Sequence, residues 1–309
     1  MKQEKERYRT KYPILLVHGL GYRDDRGDKY WGRIPQLLRD LGNQIYFGHQ
    51  DGYGSMADNA DALKKRVLVI AEETGVQRVN IIAHSKGGLE ARYMISQLGM
   101  ADHVASLTTM STPHKGSPLM DKIASAPRPL KGIFGACVNG VQRIKGDRHP
   151  NAIKSIEELS QDYVGVFNEM MEDSEKVYYQ SYAFYMKGPF DDLLLTAPYR
   201  LYRRLHRERD VDIPGMGDGL VTADSARWGE FKGVYTSYGK RGISHRGATD
   251  TFRRPFVKSI KIAETAEAAE TAGKEPEEDL SKTDDHVLMV EDIADLYLEI
   301  VEDLALRGF

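Results

Sequence analysis

The chain has 309 residues, 41% of them hydrophobic and 29% charged, with a formal net charge of −3. That is enough to bury a sizeable core as one large domain or two small ones, and it lacks the basic excess that nucleic acid would call for. The single cysteine, Cys137, excludes an internal disulfide and fits a reducing cytoplasm. Met1 to Lys11 is charged, without the apolar segment of a signal peptide, and no later apolar run is long enough to span a bilayer. An intracellular, cytoplasmic protein is therefore the expectation.

Tyr12 to Val17 is a short continuous apolar run, the pattern of a strand buried on both faces of a parallel sheet, and it ends in His18-Gly19-Leu20-Gly21. A helix is expected through Ile34, Leu37, Leu38 and Leu41, then a strand from Gln44 to Phe47. Ser55 to Thr74 has apolar residues at helical spacing, with Ser55 as cap and Gly75 as stop. Val79 to His84 reads as a strand, Leu89 onward as a helix, and Val104 to Met110 as a strand again. Strands alternating with helices predict an α/β fold, a mostly parallel central sheet with helices on both faces.

Beyond Ser111-Thr112-Pro113-His114-Lys115-Gly116 the alternation lapses. The stretch from Lys115 to Arg148 combines an apolar stripe (Ile133, Phe134, Val138, Val141, Ile144) with seven cations against only Asp121 and Asp147. Ala152 to Glu172 reads as one helix, and Val177 to Met186 as an aromatic strand. Leu193 to Asp210 is a second apolar and arginine-rich piece. A short strand is expected from Val234 to Tyr238. The run 263–285 is acidic with almost nothing to bury, a flexible insertion, and Val287 to Leu306 reads as one closing amphipathic helix.

The chemistry centres on Ala83-His84-Ser85-Lys86-Gly87-Gly88. A bare Ser-x-Gly-Gly can be an ordinary loop, but here a strand precedes it and a helix follows. That is the context of a nucleophile held at the apex of a strained turn, with small neighbours such as Ala83 and Gly87 letting strand and helix approach. A serine hydroxyl needs a base, and the base needs a carboxylate to hold its tautomer. In sheets of this kind the chain order is serine, acid, histidine, which suits Asp218 in Gly217-Asp218-Gly219, although such a turn is also a common surface turn. Two histidines can supply the base. His245 lies in a loop after a strand and a glycine, and His286 follows Asp284-Asp285 where a polar residue more simply caps a helix.

An oxyanion needs two backbone N–H donors, here those of Leu20, directly after His18-Gly19, and of Lys86. His18 is expected to brace its loop, His84 to point to the far side of the turn from Ser85, and His114 to pack beneath the site. Metal-ligand spacing and a phosphate loop are both absent from the sequence, so no metal or other cofactor is expected.

Together, Val17-His18-Gly19-Leu20, the Ser85 turn, Ser111 to Ser117 and Gly217 to Val221 resemble the bacterial triacylglycerol lipases of the α/β-hydrolase fold. The likeness is nearest to an intracellular Gram-positive lipase-like branch that carries a Gly-Ile-Ser-His motif, here Gly242 to His245, before a C-terminal helix. The resemblance implies one α/β-hydrolase domain over 1–309, the triad Ser85, Asp218 and His245 in preference to His286, and oxyanion donors Leu20 and Lys86. It also implies a lid at 117–150; the second apolar and cationic piece, 190–212, is expected as a further cap segment. The expected activity is hydrolysis of carboxylic esters, acylglycerol-like, through an acyl-enzyme. An acyltransferase on the same triad and a non-catalytic binding protein are the competing readings. The two cationic apolar stretches suggest peripheral contact with an anionic membrane surface. Many such lipases bind a structural calcium through an aspartate two residues after the histidine. That position is Gly247 here, and Asp250 is the residue that could partly replace it.

Overall fold

The computed structural model describes residues 6–24, 29–207, 216–257 and 287–309. Seven strands are formed: β1 (Ile14–Val17), β2 (Ile45–Phe47), β3 (Val79–His84), β4 (Val104–Met110), β5 (Tyr178–Phe184), β6 (Glu230–Ser237) and β7 (Val287–Val290). They make one sheet in the order β2-β1-β3-β4-β5-β6-β7, and every pairing is parallel. A parallel sheet needs cover on both faces, and the alternation along β1 and β3 supplies it. Ile14, Leu16 and Ile82 face one core, completed by Trp31 and by Ile34 and Leu38 of α1 (Ile34–Asp40). Leu15, Val17, Ile81 and Ala83 face the other, packed on α2 (Met56–Thr74) and α3 (Lys86–Ser96). The ends of α2 follow the sequence signals. Ser55 accepts a hydrogen bond from the Asp58 N–H, and Gly75 closes the helix at φ 68°.

Between β4 and β5 lie α4 (Pro118–Ala124), α5 (Arg128–Lys145), α6 (Ala152–Glu157) and α7 (Gln161–Met170). The single helix expected over Ala152 to Glu172 is two helices. Ser160 breaks it by accepting from the Tyr163 N–H as the cap of α7, a bond unavailable to a residue inside a helix. After β5 come a 3₁₀ turn, Leu193–Leu195, and α8 (Thr196–Arg207). The expected strand at Val234 starts four residues earlier, because Glu230 and Phe231 pair with Gln180 and Ser181 of β5.

The expected closing helix is also divided. Val287 to Val290 pairs with β6 as the edge strand β7, and Asp292 caps α9 (Ile293–Leu306) by accepting from the Ala294 N–H. Buried Leu296, Tyr297, Ile300 and Leu304 of α9 close the core that α1 opens. The acidic stretch 263–285 and His286 lie outside the described residues. Among the described residues no helix is long and apolar enough to cross a membrane.

Candidate active site

β3 carries the chain to the carboxyl edge of the sheet, where Ser85 sits at φ 56° and ψ −131° just before α3. That backbone costs a non-glycine residue about 1–3 kcal/mol and persists only where its surroundings hold it. Here the Ser85 N–H donates to the Met110 carbonyl (3.0 Å), and the Ser85 carbonyl accepts from the Gly88 N–H (3.1 Å). Close approach also dictates the neighbours. A Cβ on Gly19 would stand 2.7 Å from the Ser85 Cβ, and one on Gly87 would stand 2.5 Å from the His18 carbonyl oxygen.

Asp218 and His245 come together from loops 27 positions apart. The His245 N–H donates to the Asp218 carbonyl (2.8 Å), and the ring Nδ1 lies 2.7 Å from Asp218 Oδ2. The other carboxylate oxygen accepts from the N–H groups of Leu220 (3.0 Å) and Val221 (2.8 Å), so the carboxylate is fixed at both ends. Asp218 is 1% exposed. Ser85 and His245 line one cavity of about 200 Å³, whose other walls are mostly apolar. Leu20 belongs to the loop after β1, Ser117 and Met120 to the 117–150 segment, Leu195 to the 190–212 segment, and Leu220 and Val221 to the Asp218 loop.

The β1 loop is braced as its histidine suggested. His18 Nδ1 lies 2.8 Å from the Gly19 carbonyl and Nε2 3.2 Å from that of Gln50, while Gln50 Nε2 donates back to the His18 carbonyl (3.0 Å). The Gly19 N–H donates to the Tyr30 hydroxyl (2.9 Å), and the Gly21 N–H to the Gly52 carbonyl (2.8 Å). Between them, the Leu20 N–H has no acceptor among the described residues, and neither has that of Lys86 at the head of α3. Two free donors therefore flank Ser85, one at a helix N-terminus whose dipole favours negative charge.

His84 corrects the sequence reading. Its ring does not turn away from the site: it lines the cavity, and its centroid is 4.4 Å from that of His245. Strand alternation ends at the positive φ of Ser85, so the rule that separates neighbouring side chains stops one residue early. The Tyr30 hydroxyl accepts from the Gly19 N–H and lies 2.5 Å from His84 Nδ1. Burial, and then the nearby His245, hold the His84 pKa well below the ordinary histidine value, so His84 is neutral. Burial raises the Tyr30 phenol, which stays protonated. His114 is buried beneath the sheet edge against Thr109 and stacked on Trp228 at 5.2 Å.

Two further features were not anticipated. Lys86 sends its side chain into the interior, where Nζ donates to Glu90 Oε1 and to the Gly54 carbonyl (2.8 Å). Glu90 also accepts from Asn59 (2.7 Å) and Gln50 (3.4 Å), so one buried network joins α3 to the loops that carry His18 and Gly52. The i, i+4 spacing of Lys86 and Glu90 was its only local sign. Asp250, the residue that could partly replace the calcium-binding aspartate, is held by a guanidinium. Arg33 bonds both Asp250 oxygens (2.9 and 2.7 Å) and both of Asp292 (2.9 and 2.7 Å), pinning the His245 loop to the start of α9. Among the described residues no group of three or more His, Cys, Asp or Glu side chains is gathered as a metal ion would need.

Residues 12–183 match the family model described as the alpha/beta hydrolase fold, more than half of the chain. The chain belongs to that family. Triacylglycerol lipase 2 of Saccharomyces cerevisiae is 27% identical to it over 314 positions, covering 100% of this chain and 80% of that one. A triacylglycerol lipase of Pseudomonas fragi is 32% identical over 171 positions, 52% of this chain and 57% of the relative, so the chain spans little more than half of that protein. Among solved structures, the mature lipase of Bacillus licheniformis superposes with a TM-score of 0.57 at 20% identity over 79% of this chain and 88% of that one, a likeness of fold.

Proposed function

We propose that this α/β hydrolase cleaves carboxylic esters of acylglycerol type, with Ser85, His245 and Asp218 as its catalytic triad. His245 accepts the Ser85 Oγ proton as that oxygen attacks the ester carbonyl, then returns it to the departing alcohol. Asp218 fixes the His245 tautomer through Nδ1 and stabilises the imidazolium that forms. The Leu20 and Lys86 N–H groups stabilise the oxyanion, and water repeats the cycle on the acyl-enzyme. The observation that carries the reading is the shared cavity: a serine at positive φ, a histidine bonded to a buried carboxylate, and two N–H groups without acceptors among the described residues. The names of the yeast and Pseudomonas relatives add the acylglycerol class.

Segments 117–150 and 190–212 act as a lid and second cap, since Met120 and Leu195 line the cavity while other apolar side chains face water. Ile133, Ile144 and Leu193 are 71%, 89% and 77% exposed in segments that also carry Arg143 and Arg200, a composition that suits an anionic membrane surface. The lone Cys137 favours the cytoplasm. Hydrolysis of p-nitrophenyl esters from short to long acyl chains tests the assignment, wild type beside Ser85→Ala, His245→Ala and His286→Ala. Loss of turnover with Ser85 and His245 but not His286 is expected. Wild-type-like hydrolysis by Ser85→Ala would overturn the mechanism.

A further inference from the structure

A second cavity, of about 390 Å³, opens beside the one that holds Ser85. Tyr22 and Tyr30 line both cavities, their rings 4.5 Å apart, so a two-ring wall separates the spaces. The other side of that wall is cationic. Arg23 lines it with its guanidinium braced by Asp51 (3.3 Å) and Asp147 (3.0 Å), while Lys29 and Lys145 line it without an ion-pair partner among the described residues. Gln142 completes the wall. It is 6% exposed, and its Oε1 is buried without a hydrogen-bond partner. A buried amide normally has its bonds satisfied, and a half-turn about its last bond lets the same group offer N–H in place of O. Two ammoniums and an amide oxygen without partners among the described residues, around one cavity, match an incoming oxyanion, and the hydrolytic mechanism uses none of them.

We infer that this cavity binds the phosphate of an ester substrate whose alcohol part is a glycerophosphate, with the chain passing over the Tyr22–Tyr30 rim to Ser85. This rests on the ester-hydrolase reading above and names its substrate class. Tyr22, 39% exposed, forms the rim over which such a substrate would lie.

The test compares kcat/KM for dibutyrylglycerol phosphate and dibutyrylglycerol, both below their aggregation concentrations, in wild type and in Lys29→Gln/Lys145→Gln. Wild type is expected to prefer the phosphate ester roughly tenfold, through KM, with the preference shrinking as salt is added. The double variant should lose that preference and keep wild-type turnover of the neutral ester. Inorganic phosphate should compete with the anionic ester alone. Equal rates on the two esters in wild type, or equal losses on both in the double variant, would overturn the inference. Inhibition by phosphate without any preference between the esters would mark a site for free phosphate and also overturn it. A Ser85→Ala control keeps the two readings apart. If it still hydrolyses either ester, the ester-hydrolase mechanism fails; if hydrolysis needs Ser85 but shows no preference, only the present inference fails.

Discussion

Beneath Ser85 the molecule buries charges in bonded sets, whereas the 117–150 segment above it leaves apolar side chains in water. Lys86 and Glu90 are 1% and 2% exposed and tied to Asn59, Gln50 and Gly54, and Asp218 is held by three donors. Leu130, Ile133 and Ile144 of α5 gain no such burial. The floor uses stability to fix geometry within a fraction of an ångström, as a site for acyl transfer requires. The exposed apolar side chains of this roof bury little area on folding, so they add little to stability.

The largest effect that would break this contrast is catalytic. Asp218→Asn should lower kcat on p-nitrophenyl butyrate by about 10³–10⁴-fold while the fold melts as before, because the wrong His245 tautomer is then favoured. A loss of less than tenfold would remove Asp218 from the triad. Glu90→Ala leaves the Lys86 ammonium buried without its carboxylate, and should cost about 3–5 kcal/mol in denaturant unfolding. A cost below about 1 kcal/mol would show that the floor is held by packing alone.

Acid should expose the same rigidity. Burial first, with His245 second for His84 and Arg92 second for His114, lowers the folded-state pKa of both, so the native state excludes protons that the unfolded chain binds below about pH 6.5. Stability contributed this way is present above pH 6.5 and falls below it, by at most about 1.4 kcal/mol per pH unit for each histidine. In His114→Gln the acid slope should be about half as steep, and an unchanged slope would mean that other groups govern it. The smallest effect belongs to the roof. Ile133→Ser with Ile144→Ser should change stability by no more than about 0.5 kcal/mol per substitution, yet slow hydrolysis of emulsified long-chain esters relative to a soluble short-chain one. Equal rates would show that these side chains do not meet the lipid phase.

The sheet and the Ser85 turn were legible because continuous branched runs, a His-Gly loop and paired glycines are local patterns. β7 was hidden because Val287 to Val290 runs into the helical spacing of Ile293 to Leu306, and Asp292 as a cap was the one mark between them. The clamp of Arg33 on Asp250 and Asp292 joins positions 217 and 259 residues apart, and Tyr30 reaches His84 across 54. No periodicity registers such bonds. They follow from where β1, β3 and β6 end, which depends on the fold as a whole.

The central claim is that Ser85 is a nucleophile activated by His245. Intact-mass and peptide mapping after treatment with a fluorophosphonate tests it most directly, using wild type, Ser85→Ala and His245→Ala. A single adduct on Ser85, absent from the serine variant and slowed at least about a hundredfold in the histidine variant, is the predicted result. An adduct on another residue, or equally fast labelling without His245, would contradict it.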